Sequence, residues 1–235
     1  MTNWSRRRAW ESVTIQNSGS SFVIFLDKKL LLSPKGNEIL LPTKKLANRI
    51  CEEWHQQKKI VEPLKMPFTR LVNSAIDKVA ENFESIIKDL VSYGDTDLVC
   101  YRTNSPQDLV LRQKKYWDPI LDWSKTELKI NLKTVRGIRY QAQDKEELEK
   151  ISQEIITLDP LSLTAFYELV TISGSILIAL AVIHKHITAE EGLDISFLDE
   201  DWQREKWGQD EESIKNKANK LDEFLTAFQF LELLK

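Results

Sequence analysis

Polar and apolar positions alternate with a short period at the N-terminal end of the chain and recur with a helical period further on. Residues 10–15 and 21–26 flank Asn17-Ser18-Gly19-Ser20, and residues 30–32 and 38–41 flank Ser33-Pro34-Lys35-Gly36-Asn37. Both intervening stretches have turn composition, so the pattern predicts four strands in a small antiparallel sheet. After Pro42 the period lengthens. Thr43 is placed to cap a helix whose apolar stripe is Leu46, Ala47, Ile50 and Trp54, and Pro63 and Pro67 interrupt the run. Residues 71–79 and 82–93 are helical in pattern, with Gly94 expected to end the second helix.

Ser105-Pro106 reads as an N-cap with proline at the first helical position, opening a helix toward Trp123 that Pro119 bends. Residues 131–135 and 137–143 suggest a second, shorter β element. Asp144 with Glu147 starts another helix, and Thr188 with Glu191 forms a capping box. A final helix is expected to bury Ile214, Ala218, Leu221, Leu225, Phe228 and Leu231. The resulting expectation is an α+β chain: a small N-terminal antiparallel β domain with one helix over residues 1–65, followed by a larger all-α helical domain over residues 66–235.

Residues 161–183 carry a single charge, Glu168, and are long enough to span a bilayer. Thr164, Thr171, Ser173 and Ser175 are spread through them, however, and neither flank holds a basic cluster. A central buried helix is the expected outcome, without insertion into a membrane.

Charge and cysteine content narrow the function classes. Lys+Arg 33 against Asp+Glu 36 gives −3, so no basic field points to nucleic acid. The two cysteines, Cys51 and Cys100, are too few for a disulfide framework or a cysteine zinc site, which suits a reducing compartment. The first residues, with three arginines and no following apolar run, do not read as a signal peptide. The sequence holds no phosphate-binding glycine loop, nucleophile elbow or His-Glu-x-x-His. His184 and His186 lie two positions apart and would diverge by about 200° on a helix, so they read as a solvated helix end and not a metal pair. Cys100 sits in an apolar run and reads as core, as do Trp54, Trp117 and Trp123. No catalytic residue, cofactor or metal is expected.

Asp95 and Asp97, with Arg102 close in sequence, form the most catalytic-looking stretch. As a carboxylate pair they would make the chain a small hydrolase acting in an interdomain cleft. The alternative is a turn in which one of them caps the following backbone. Arg70, Asn73 and Asp77 occupy an i, i+3, i+7 row that is either solvated or part of an interface.

The densest feature is residues 198–212, Leu-Asp-Glu-Asp-Trp-Gln-Arg-Glu-Lys-Trp-Gly-Gln-Asp-Glu-Glu. Seven acids against Arg204 and Lys206 leave −5 here, whereas the whole chain is −3. Trp202 and Trp207 sit within that charge, and aromatic anchors rimmed by polar groups are typical of interface hot spots. On a helix the two rings point about 140° apart, so one is expected inside and the other outside. Glu200 and Arg204 are spaced for an i, i+4 ion pair.

Taken together, the motifs resemble one family, the ATP synthase F1 complex assembly factor 2 family. The likeness covers Arg8-Ala-Trp-Glu-Ser-Val13, residues 26–54, residues 66–77 and Thr96-Asp-Leu-Val-Cys-Tyr-Arg102. It continues through Trp117-Asp-Pro-Ile-Leu-Asp-Trp123, Ser173-Gly-Ser-Ile-Leu-Ile-Ala-Leu-Ala181 and residues 198–212. One departure is Asp27-Lys28-Lys29-Leu30, which lacks the glycine and proline usual in that hairpin. The resemblance implies a β domain joined to a helical domain and no catalysis. It also implies a chaperone that holds the free F1 α subunit until the β subunit replaces it. Trp202, Gln203, Trp207 and Glu211 are the first candidates for contact with that subunit, then Arg70, Asp77, Asp97 and Arg102. A bacterial cytoplasmic member, monomeric when free, is expected; a processed eukaryotic chain would belong in the mitochondrial matrix. The competing expectations are the hydrolase above and a scaffold that binds another subunit through the acidic helix.

Overall fold

The computed structural model describes residues 7–137, 139–208 and 211–235. The described residues form two compact units, those of 7–83 with 159–165 and 229–235, and those of 84–158 with 166–228. The first unit therefore runs past the 65/66 division suggested by sequence and takes in two later segments.

In the first unit, β1 (Val13–Ser18) pairs antiparallel with β2 (Ser21–Leu26), and Ser18 opposite Ser21 leaves Gly19-Ser20 as a two-residue loop. Gly19 takes φ 60, a conformation open to glycine at no steric cost. β3 (Lys29–Leu30) completes a three-stranded antiparallel sheet in the order β1-β2-β3. Its loop, Asp27-Lys28, works without glycine because Asp27 itself takes φ 54. Aspartate visits this region more readily than most residues, and here its side chain is held from across the sheet, Asp27 Oδ1 accepting the backbone N–H of Ser12 at 2.8 Å and of Glu11 at 3.0 Å.

The expected fourth strand does not form. Residues 38–41 contribute only isolated bridges, Leu32 to Glu38 and Phe22 to Leu41. The preceding turn is tied to a helix instead of extending the ladder: Asp77 accepts the Ser33 hydroxyl at 2.6 Å, the Lys35 N–H at 3.0 Å and the Asn37 amide at 2.9 Å.

Helix α1 (Lys44–Gln56) is capped by Thr43, whose hydroxyl accepts the Leu46 N–H at 3.2 Å, and it packs on β1, β2 and α2 (Pro67–Ser74). Its buried face is Leu46, Ala47, Ile50 and Glu53, while Trp54 is half-buried against the Trp10 ring at 5.1 Å. Pro67 at the start of α2 suits the fixed φ of a first helical turn. A π turn, Ala75–Val79, follows α2 and carries Asp77 inward. The i, i+3, i+7 row expected from regular helix is thereby broken, because the wider turn shifts every later side chain around the axis.

The second unit is helical: α3 (Phe83–Asp95), α4 (Gln107–Glu127), α5 (Lys145–Ile155), α6 (Pro160–Ser173), α7 (Ile176–Ile183), α8 (Ala189–Ser196), α9 (Leu198–Trp207) and α10 (Glu211–Leu233), with the first residue of α3, the start of α6 and the end of α10 counted in the first unit. Gly94 lies within α3 and does not end it. A Cβ there would stand 2.6 Å from Ile151 Cδ1, so the glycine serves a close helix approach. Of the expected second β region, only β5 (Val135–Arg136) forms, paired parallel with β4 (Tyr101–Arg102); Ile138 lies outside the described residues. Ser105 does not cap α4, since Pro106 occupies that position.

The long apolar run is two helices. Gly174 at φ 69 and Ser175 at the α7 N-cap separate α6 from α7. Every residue from Ile176 to Val182 is buried, with α4 and α8 packed alongside. Among the described residues, no helix is long and apolar enough to cross a membrane. On α10 the fully buried positions are Phe224, Ala227 and Phe230, one step around the helix from the expected stripe, and Ile214 and Ala218 are exposed.

Candidate functional site

Helix α9 opens with Asp199, Glu200 and Asp201 and closes with Arg204 and Lys206, the order of charges favoured by a helix dipole. Gly208 at φ 96 ends it by taking a conformation that a side chain would strain. Part of the local acidity is paired within the second unit. Glu205 accepts two bonds from Arg112 on α4, at 2.7 and 2.8 Å. Asp199 accepts the Gln113 amide at 2.9 Å. Burial raises the Asp199 carboxyl above its ordinary range, against the lowering effect of Gln113 and Arg102. Asp201 takes Lys217 of α10 at 2.7 Å and also pairs with Arg204, so the expected Glu200–Arg204 pair is replaced by an i, i+3 pair. Glu200, Glu211 and Glu212 have no ion-pair partner among the described residues and face solvent; Asp210 lies outside them.

The two tryptophans divide as expected in burial. Trp202 is 8% exposed and Trp207 76%. Their rings do not diverge, however: they meet edge to face with centroids 5.8 Å apart and planes at 83°. Side-chain torsions bring together what the helical wheel separates. Trp202 donates its indole N–H to Asp108 of α4 at 3.1 Å, and Lys206 reaches the same carboxylate at 2.8 Å. These two donors hold the Asp108 carboxyl below the usual carboxylate range. Gln203 and Glu211 are exposed.

The second-choice contact residues scatter. Arg70 is exposed, in the first unit. Asp77 is buried, and although burial opposes ionisation, the bonds from Ser33, Asn37 and Lys35 hold its carboxyl below the ordinary value. Asp97 is 0% exposed and touches no surface. It accepts the Val99 N–H at 3.0 Å, the Ser175 hydroxyl at 2.7 Å and the Leu177 N–H at 3.0 Å, and burial lifts its pKa to about 6. Both aspartates are therefore internal ties and not contact residues. Arg102 is nearly buried too. Its Nε donates to the Val99 carbonyl at 2.8 Å, its Nη1 meets Asp118 at 2.8 Å, and it lies over the Trp117 ring.

The hydrolase expectation loses its carboxylate pair. Asp97 is enclosed, while Asp95 accepts the Tyr140 hydroxyl and the Gln143 N–H, at 2.5 and 2.8 Å. Burial, with Asp97 nearby, pushes the Cys100 thiol up, away from nucleophilic use. His184 and His186 are exposed at the C-terminal end of α7, as expected, and both rings also pack on Trp123, at 5.8 and 5.1 Å. Among the described residues no cluster of His, Cys, Asp or Glu is arranged to hold a metal.

Two important residues escaped the sequence reading. Asp108 lies in the first turn of α4, where nothing in the sequence spacing marks its pairing with Trp202 and Lys206. Glu53, buried on α1, accepts the Phe68 and Thr69 N–H groups at 2.8 Å and so caps α2; its signal was a carboxylate on the apolar face Leu46–Ile50–Glu53.

Fold and site together define an α+β protein whose most exposed aromatic side chain, among the described residues, is a supported tryptophan at the end of an acidic helix. A family model described as ATP12 chaperone protein matches residues 7–125. The crystal structure of Atp12 from Paracoccus denitrificans is 39% identical and superposes with a TM-score of 0.93, over 97% of this chain and 98% of that one. A crystal structure of an Agrobacterium tumefaciens protein gives 34% identity and a TM-score of 0.92, over 98% and 87% of the two chains. The mitochondrial protein atp12 of Schizosaccharomyces pombe is 26% identical over 232 residues, 91% of this chain and 80% of its own length. The chain belongs to the ATP12 chaperone family. The family is one of chaperones and not of enzymes, in agreement with the non-catalytic expectation.

Proposed function

We propose that this chain takes part in ATP synthase assembly by holding the free F1 α subunit and yielding it when the β subunit arrives. An orphan subunit exposes apolar surface that its neighbour would cover, and such surface aggregates. A holding partner needs an anchor that is apolar, exposed and already ordered, so that little freedom is lost on binding. The observation that carries this reading is Trp207, 76% exposed yet seated on the buried Trp202. Gln203 and the exposed Glu200, Glu211 and Glu212 supply a polar rim that favours a basic or hydrogen-bonding surround on the client.

Release follows from competition: a native α–β interface of higher affinity displaces the chaperone by mass action, with no nucleotide required. The chain acts as a monomer in the bacterial cytoplasm, or in the matrix in a eukaryote. Co-purification of the tagged chain with separately expressed α and β subunits tests the proposal. Capture of α and not β is expected, and capture of neither would overturn it.

A further inference from the structure

We propose that Asp108, on a different helix, is a positioning residue that presets the exposed ring of Trp207 for its partner; the proposal rests on the reading that Trp207 contacts the α subunit. The connection is short. Asp108 Oδ2 accepts the Trp202 indole N–H at 3.1 Å and the Lys206 ammonium at 2.8 Å. Lys206 in turn lies over the Trp202 ring, 5.6 Å from its centroid. The Trp202 ring is thus fixed at its polar edge by the carboxylate and covered by the cation that the same carboxylate holds. Trp207 stands edge to face on that ring at 5.8 Å, and Trp202 is its only aromatic neighbour among the described residues. An exposed indole otherwise samples several rotamers, and confining it on binding opposes association.

Asp108 is not what keeps α9 in place. Arg112 with Glu205, and Gln113 with Asp199, join α4 to α9 independently of it. The two helices also lie side by side in the second unit. Losing the Asp108 carboxylate should therefore free the rings while leaving the helix docked, which separates a positioning role from a structural one.

The test is a double-mutant cycle on the full chain, binding separately expressed F1 α subunit, together with 19F NMR of protein labelled with 5-fluorotryptophan. Trp207→Ala is expected to weaken binding by roughly 30-fold or more, as for an aromatic hot spot. Asp108→Ala should weaken it by about fivefold when Trp207 is present and not at all in the Trp207→Ala background, the mark of an effect passed through that ring. Asp108→Asn, which keeps an acceptor for the indole N–H, should restore part of the loss. The Trp207 resonance, assigned by its absence from Trp207→Phe protein, should shift in Asp108→Ala.

An unchanged Trp207 resonance, or an equal Asp108→Ala loss in both backgrounds, would overturn the positioning role while the α-subunit reading stands. A wild-type chain that binds no α subunit would remove the α-subunit reading and this inference with it.

Discussion

The Ser175 hydroxyl donates to Asp97 Oδ1 at 2.7 Å, joining residues 78 positions apart. With the Leu177 N–H on the other carboxylate oxygen, Asp97 holds the start of α7, the most buried helix segment in the second unit. It also caps the short turn Leu98–Cys100 through the Val99 N–H. One carboxylate thus closes the backbone gap where the long apolar run divides. An Asn there keeps an acceptor oxygen but sets an NH2 against the Leu177 N–H. Asp97→Asn is expected to destabilise the protein by about 2 kcal/mol at neutral pH, where the residue is a carboxylate, the cost of a lost buried bond and an unmatched donor.

The same residue has a pH signature. Burial lifts its pKa from 3.8 to about 6, so the folded state holds more protons than the unfolded state between those values. Its contribution is therefore greatest at low pH and declines as pH rises through the folded pKa. The stability gap between wild type and Asp97→Asn should be wider at pH 5 than at pH 7.5, read from urea midpoints. A gap that widened with rising pH would contradict this assignment.

Asp77 has the opposite sign. Its carboxyl is held below the ordinary value of 3.8, so its stabilisation is present above that value and is lost as pH falls through the lower, folded pKa. Asp77→Ala should free the 33–37 turn at neutral pH and cost about 1–2 kcal/mol. Faster hydrogen exchange at Lys35 N–H, whose acceptor is Asp77 Oδ2, is the direct readout.

Gly94 tests the helix packing. A methyl group there would meet Ile151 Cδ1 at 2.6 Å and Leu148 Cδ2 at 3.3 Å. Gly94→Ala should lower stability by about 1–2 kcal/mol through overpacking. Adding Ile151→Val, which removes the clashing methyl, should recover part of that loss, so the two changes would not be additive in thermal melts.

The paired tryptophans should behave differently in isolation. Trp202→Ala removes a buried ring and its bond to Asp108, and should cost about 3 kcal/mol or more. Trp207→Ala removes an exposed ring and should change stability by about 0.5 kcal/mol at most. Chemical denaturation of both variants checks the contrast, and equal losses would mean that Trp207 is a packing residue.

Local chemistry was legible in the sequence; long-range chemistry was not. The Gly19 hairpin, the Thr43 cap and the Thr188–Glu191 capping box depend on neighbours within a few residues, and all three form. The α+β class followed from the change of hydrophobic period, which the structure bears out. Three of the misreadings share one physical cause, partners distant in sequence. Asp77 diverts the 33–37 turn from a fourth strand, Ile151 explains Gly94, and Asp97 stabilises the break at Gly174 that divides an apolar run expected to be continuous. Within the candidate site, the run of acids overstated the free charge, because Arg112, Gln113 and Lys217 come from elsewhere to pair with it. The exposure of Trp207 followed from helix geometry, but its contact with Trp202 depends on side-chain torsions that spacing does not encode.

The central claim, that this chain holds the free α subunit and then yields it, is met most directly by light scattering during α-subunit renaturation. With an equimolar amount of the chain present, scattering should stay near baseline and a soluble complex should elute on gel filtration. Adding β subunit should then dissolve that complex and leave the chain free. Undiminished α aggregation in its presence, or a complex that β cannot displace, would contradict the account.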